Sequence, residues 1–410
     1  MIRRFFQYCQ KVFHLSQLVE RLEDGRKHPA IPAGGAWLSL CLLFLLRLGS
    51  LNALEQIIRN PHWRGRWKRL LRGKPPSADT LGYFAQRLSL DSLRAILHDL
   101  YTSLQRNHHL TGFRFGGWTV LAVDGHELFT SYRRRCSHCL TRKVVVGGKE
   151  KTQYYHRIAV ACLVGGPVLI PLDIEEQRPG EDETGAALRL LERIQRRYPK
   201  AFDVVTADAL YANPRILALL RSHHKHLVAV LKDNHPDLLT DAKSLCQGTP
   251  LLEESLGKGE YQWWDLEGFS SWSSVKDPVR VVRSHETKPV RGERVSSDWY
   301  WVTTLSLAEA ATQTIWRIGH ARWEIENQGF NQLVNQLHFN RPYHHHPNAI
   351  MVFVLTACIV LLLLSAFHQF NLKAELRERL SLAALALDFL QTLFDLLRST
   401  ISLLPIRAPT

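Results

Sequence analysis

Two kinds of hydrophobic pattern divide the chain. Up to about residue 115, apolar residues recur at helical spacing or in short continuous runs. Residues 38–48 form one such run, and Leu51–Ile58 continues it. Leu81, Phe84 and Leu88 share a helical face behind Ser77-Ala78-Asp79-Thr80, which reads as a helix start. Asp91 is placed to cap a further helix carrying Leu93, Ile96 and Leu97. Between these helices lies Trp63-Arg64-Gly65-Arg66-Trp67-Lys68-Arg69-Leu70-Leu71-Arg72-Gly73-Lys74, closed by Pro75-Pro76.

At Trp118 the rhythm becomes β-like. Residues 119–123 are β-rich and run into Asp124-Gly125, a turn signal, so Asp124 is expected to end the first strand. A long loop carrying Arg133, Arg134, Arg135, Arg142 and Lys143 follows. Residues 154–164 and 167–174 read as strands joined at Gly165-Gly166. An amphipathic helix over 186–198 comes after Glu181-Asp182-Glu183-Thr184, acidic where the helix dipole favours it. Residues 202–208 form a strand ending at a second carboxylate, Asp208, before a helix at 214–223 and a strand at 226–232. The order β-β-β-α-β-α-β predicts an α/β fold, a mixed sheet flanked by helices.

From 236 to 306 the pattern weakens to short strands between polar loops, without a long amphipathic helix, and is taken as a β-rich insertion. Trp263 and Trp264 within it are assigned to core. Helical spacing resumes at Leu307, and 322–337 forms a helix on which Trp323, Phe330 and Leu337 repeat every seven residues. The last residues are apolar helices. Residues 351–367 carry no charge, a length at the bottom of the membrane-spanning range. No second stretch of that length follows, so a buried core helix and a soluble, non-membrane chain are expected. The expected division is a helical domain at 1–115, an α/β core at 116–345 containing the insertion, and C-terminal helices at 346–410.

Composition narrows the function. At 45% hydrophobic and 22% charged residues over 410 positions, the chain is neither disordered, collagen-like nor a disulfide mini-scaffold. Its 52 Lys+Arg against 38 Asp+Glu leave a formal net charge of +14. Residues 1–115 hold 18 basic and 7 acidic groups, while the rest is nearly balanced. A localised basic excess is the footprint of a polyanion-binding module, with nucleic acid the leading partner. Arg64, Arg66, Trp67, Lys68, Arg69, Arg72 and Lys74 are the expected contacts, the tryptophan by stacking. Arg133, Arg134 and Arg135 form a second basic group. Seven scattered cysteines suit a reducing cytoplasm, and the N-terminus shows no signal peptide.

The candidate chemistry is acidic. Asp124 and Asp208 fall at strand ends, on the edge where open α/β sheets place their sites. Glu326 follows Trp323 by three residues and precedes Phe330 by four, which sets it beside the apolar stripe of its helix. A carboxylate there needs a partner, and Arg322 at i−4 or a divalent cation would serve. Mg²⁺ or Mn²⁺ prefers such oxygen ligands. Two ions held by three carboxylates could activate a water or a 3′-hydroxyl for in-line displacement. Glu324, at i−2, points to the other side of the helix.

Val123-Asp124-Gly125, Thr206-Ala207-Asp208-Ala209-Leu210-Tyr211 and Arg322-Trp323-Glu324-Ile325-Glu326-Asn327-Gln328-Gly329-Phe330-Asn331, in that order, resemble the DDE transposases of bacterial insertion sequences. The resemblance spans roughly 115–340. It implies an RNase H-like core with a β-rich insertion between the second Asp and the Glu. It further implies that Asp124, Asp208 and Glu326 bind the metals and that Arg322 supports them or contacts DNA. Two positions depart from the related signature. A Tyr three residues before the Arg and a Lys seven or eight after the Glu are here Gly319 and Leu333 or Val334. Those side chains contact the element end in relatives, so the departures bear on end binding and any hairpin route, and leave the metal triad untouched.

Weaker signals accompany these. Cys136-Ser137-His138-Cys139 offers two of the four ligands of a zinc site, with His126, His138 or His156 nearest in sequence. Unliganded thiols in a DNA-facing loop are the expectation. Glu181, Asp182 and Glu183 are read as helix N-terminal acidity, with a further metal-site or DNA-steering carboxylate as the alternative, and His344-His345-His346 as a solvated turn. The resulting expectation is a metal-dependent enzyme that cleaves double-stranded DNA at element ends and transfers the strand into target DNA, acting as a homodimer on the DNA. A catalytically inactive, transposase-derived DNA-binding protein is the alternative, and retention of all three carboxylates argues against it.

Overall fold

A computed structural model describes residues 1–61, 64–71 and 73–398. Seven helices come first: α1 (Ile2–Phe13), α2 (Leu15–Glu20), α3 (Ala33–Leu45), α4 (Leu51–Ile58), α5 (Arg64–Leu70), α6 (Ala78–Arg87) and α7 (Leu90–Arg106). Their starts follow local capping chemistry. Ser50 Oγ accepts from Ala53 N–H at α4, and Ser77 Oγ from Thr80 N–H at α6. The cap of α7 is Ser89, whose Oγ accepts from Ser92 N–H; Asp91 lies inside the first turn instead.

The sheet follows, with β1 (Val120–Ser131), β2 (Leu140–Val146), β3 (Lys149–Val164), β4 (Ile170–Glu176), β5 (Val204–Ala207) and β6 (His226–Val230). Helices α8 (Glu183–Arg197) and α9 (Pro214–Ser222) connect β4 to β5 and β5 to β6. Helix α10 (Pro236–Leu245) leads to β7 (Leu252–Leu256), β8 (Gly259–Phe269), β9 (Val279–Val290) and β10 (Glu293–Thr303). All ten strands join one mixed sheet in the order β2-β3-β1-β5-β6-β10-β9-β8-β7, with β4 also on β3. The pairs β1–β5 and β5–β6 are parallel and the remainder antiparallel. This is the expected α/β, RNase H-like arrangement.

Three local expectations give way here. Arg142 and Lys143 lie not in a loop but on β2, an edge strand turned back by Gly147 and Gly148 at φ 59° and 73°. Two glycines with positive φ make the tight turn whose twist matches a hairpin, and charges suit an exposed edge. Asp124 does not end β1. The strand runs on to Ser131 against β3, and only its parallel partner β5 stops opposite Val123. Trp264 is half-buried beneath the Arg283 guanidinium, 4.3 Å from its ring, whereas Trp263 is fully buried, because successive strand residues face opposite ways.

After β10 come α11 (Thr312–Ala321), a π-helical turn at Ile325–Phe330, α12 (Asn331–Leu337), α13 (Pro347–Asn371), α14 (Ala374–Arg379) and α15 (Leu382–Arg398). Helix α13 is long and apolar enough to cross a membrane, yet its apolar window is wholly buried. It packs against α3, α6, α7 and β4. Its burial within the chain accounts for an uncharged run without a bilayer. Polar contacts fix its register. Trp37 Nε1–H donates to Thr356 Oγ1 at 3.2 Å, and Asn348 Nδ2–H donates to the carbonyls of Ala85 and Leu88, near the end of α6. A buried ion-pair network ties α7 to the sheet: Asp173 on β4 receives Arg94 of α7 at 3.1 Å and Arg193 of α8 at 2.5 Å.

Candidate functional site

Three distant segments meet where β5 ends beside β1. Asp124 is the first β1 residue beyond the parallel ladder, and Asp208 directly follows β5. The helix bearing Arg322 and Glu326 is held over them from two sides. Thr206 Oγ1–H on β5 donates to the Ile318 carbonyl of α11 at 3.0 Å. Gly319 lies against the Trp301 indole of β10, so close that a Cβ would overlap the ring. The missing Tyr at 319 therefore has a packing cause, and Leu333 is likewise buried in the core.

Arg322 is the hub. Its Nη1 donates to Asp124 Oδ2 at 3.0 Å and to Glu326 Oε1 at 2.5 Å. Its charge also reaches Asp208 and helps hold that carboxyl low. Burial by itself would raise Asp208, but the Ala209 N–H and Lys232, whose Nζ donates to Oδ1 at 3.0 Å, outweigh it. Asp124 differs. Burial lifts its carboxyl to about 7 against the pull of Arg322 and the Gly125 N–H, and the Glu326 and Glu183 charges add to the rise.

Glu326 is not beside an apolar stripe, as its spacing suggested. It sits in the π-helical turn with its side chain 46% exposed, and Trp323 is exposed as well. The wide turn shifts the helical phase, so the seven-residue repeat keeps only Phe330 and Leu337 inside. Glu324 points elsewhere, accepting from Gly165 N–H at 2.9 Å.

A fourth acid stands nearby, one for which sequence reasoning preferred a capping role. Glu183, read as helix N-terminal acidity, is buried beside Gly125, and its charge reaches Asp124. Tyr211 Oη–H donates to it at 2.6 Å and Arg157 pairs with it at 2.7 Å. Its carboxylate lies against Gly125, whose missing Cβ makes the approach possible. The available signal was the Asp-Gly pair itself, which marks a close approach here and not a turn. His126, two residues beyond Asp124, stacks on Phe330 with centroids 4.3 Å apart, and burial pushes its imidazole down to about 4.

The donor set is chemically uniform: two carboxylates, Asp124 and Glu326, share one guanidinium, and Asp208 lies within its electrostatic reach. Such a set fits a hard divalent ion, since it already concentrates negative charge about an internal cation. Asp124, Asp208 and Glu326 are the residues that could hold one.

The expected DNA contacts fall in two places. Lys68, Arg69 and Lys74 are exposed and Arg66 is half-buried. Trp67 does not face a partner. It is fully buried, with Nε1–H donating to the Ile57 carbonyl at 3.1 Å, because α5 turns its apolar side chains, Trp67 and Leu70, into the helical core. Trp63, Arg72 and the Arg64 side chain lie outside the described residues. Arg133, Arg134 and Arg135 are exposed in the loop between β1 and β2.

Residues 119–363 match the family model described as a transposase DDE domain. The match covers more than half of the chain and includes Asp124, Asp208, Arg322 and Glu326. A search of curated proteins gave no match. Members of this family are transposases that act on DNA and generally use divalent metal ions. With its mixed sheet and flanking helices, the chain belongs to the DDE transposase family.

Proposed function

We propose that this chain is a DNA transposase that cleaves insertion-sequence ends and joins them to target DNA, with Asp124, Asp208 and Glu326 holding Mg²⁺ or Mn²⁺. The observation that carries the reading is the sharing of Arg322 Nη1 between Asp124 and Glu326, with Asp208 inside its field. Residues from three distant parts of the chain have no packing reason to gather charge at one sheet edge. Bound metal would lower the pKa of the attacking water or 3′-hydroxyl and stabilise the leaving oxygen. Arg322 neutralises the carboxylates before metal arrives and offers a cation to a phosphate. Lys232 keeps Asp208 ionised, and Glu183 adds negative charge behind Asp124.

In this reading residues 1–115 form the helical DNA-binding domain, 116–345 the core with its insertion at 236–306, and 346–410 the C-terminal helices. Arg66, Lys68, Arg69 and Lys74 track duplex phosphates from one side, and Arg133, Arg134 and Arg135 from the other. Bringing two element ends together calls for a homodimer on the DNA, in the bacterial cytoplasm at the nucleoid. The test is strand transfer by the purified chain on DNA bearing the inverted repeats that flank its gene. Mg²⁺-dependent joining should be lost in Asp124→Ala, Asp208→Ala and Glu326→Ala while DNA binding survives. Joining at the unaltered rate in all three would refute the assignment.

A further inference from the structure

Away from the carboxylates, Cys136, Cys139 and His156 bring their ligand atoms together. Both sulfurs lie 3.3 Å from His156 Nε2 and 3.6 Å from each other. Zinc–sulfur bonds of about 2.3 Å and zinc–nitrogen bonds of about 2.0–2.1 Å in a tetrahedron require separations of roughly 3.6 and 3.8 Å. The observed triangle is within a few tenths of an ångström of that. A disulfide is not formed, because its sulfurs would stand about 2.0 Å apart.

The surroundings favour metal over free thiols. His156 is buried, and its Nδ1 lies 3.0 Å from Glu176 Oε1. Donation from Nδ1–H to that carboxylate leaves Nε2 as a lone-pair acceptor facing both sulfurs. That lone pair and the two sulfurs converge on one point, where a single cation would meet all three donor atoms. A carboxylate behind a ligating imidazole is also the usual support of a zinc-bound histidine. His138, the other histidine of the motif, is turned to Glu176 Oε2 at 2.8 Å and stands outside the triangle.

We propose that Cys136, Cys139 and His156 bind one zinc ion, which pins the loop carrying Arg133, Arg134 and Arg135 to β3 and, through Glu176, to β4. Water completes the shell from the adjoining cavity of about 960 Å³, which Cys136, His138, Glu176 and His345 help to line. The site is separate from the Asp124–Asp208–Glu326 cluster and does not depend on its function.

The test uses the full chain purified without chelator, with metal measured by mass spectrometry and by cobalt(II) substitution. About one zinc per chain is expected for a site of this ligand set. Cobalt should give thiolate charge-transfer bands and tetrahedral visible bands, both abolished in the Cys136→Ser/Cys139→Ser variant. If that variant fails to fold, an organomercurial titration of the native chain replaces it, and zinc should be released in step with two thiols. Metal content well below one per chain after zinc loading, cobalt bands without thiolate character, or zinc unaffected by blocking the thiols would each overturn the proposal.

Discussion

Arg322 Nη1 lies 3.0 Å from Asp124 Oδ2, a contact that closes 198 residues of chain. The same nitrogen holds Glu326, one turn further along its helix. Removing it leaves Asp124 and Glu326 facing each other without a shared counter-charge. Arg322→Gln is therefore expected to raise the Asp124 carboxyl further and to slow end cleavage by about 10–100-fold, the range for groups supporting metal ligands. Its pH–rate profile should also shift to higher pH. An unshifted profile at normal rate would show that Arg322 neither screens nor supports the acids.

With Asp124 as a metal ligand, its carboxyl, raised to about 7, would make metal binding proton-linked. Below that pH the ion must displace a proton; above it the ligand is already ionised. Affinity for Mn²⁺, followed by titration calorimetry, should rise with pH up to about 7 and level off beyond it.

The same shift has a stability sign. Asp124 binds its proton more tightly folded than unfolded, where its usual value is 3.8. Its favourable contribution is present below that value and is lost as pH rises to about 7. Metal-free Asp124→Asn should thus be more stable than the parent at pH 8, by something on the order of 1–3 kcal/mol, with the gap closing near pH 4. Thermal melting at the two pH values decides this.

Gly125→Ala drives a methyl into the Glu183 carboxylate, which Tyr211 and Arg157 hold in place. A cost of about 1–3 kcal/mol is expected, as for overpacking elsewhere. The melting temperature should fall, and Glu183→Ala in the same chain should restore part of the loss by opening space.

In the N-terminal helices the basic residues and the tryptophan separate. Lys68→Ala, Arg69→Ala and Lys74→Ala together should weaken duplex binding with little change in melting. The slope of log affinity against log salt should shrink by about 0.9 for each phosphate that is no longer neutralised. Trp67→Ala should instead destabilise the fold by about 3–5 kcal/mol, as for other buried aromatics.

These contrasts show what was legible in the sequence. Strand β5 ending at Asp208 was legible, because an apolar run stopping at a carboxylate needs only local information. So was the partnership of Arg322 with Glu326, which is a matter of helical spacing. The π-helical turn was not, since an extra residue in one turn leaves no mark on composition. Glu183 was hidden for a different reason. Its acidity suits a helix start, and only the folded sheet reveals that Gly125 makes room for it. Strand β2 was obscured by its charges, which its edge position tolerates. The burial of Trp67 was not legible either, because basic neighbours say nothing about which way the ring turns.

The claim that Asp124, Asp208 and Glu326 jointly hold the divalent ion is tested most directly by replacing that ion with iron(II). Ascorbate and peroxide then generate hydroxyl radicals that cut the backbone beside the bound metal. Cuts clustered near residues 124, 208 and 326, suppressed by excess Mg²⁺ and absent in Asp208→Ala, are the expected result. Cuts elsewhere in the chain, or a pattern indifferent to Mg²⁺ and to loss of Asp208, would contradict it.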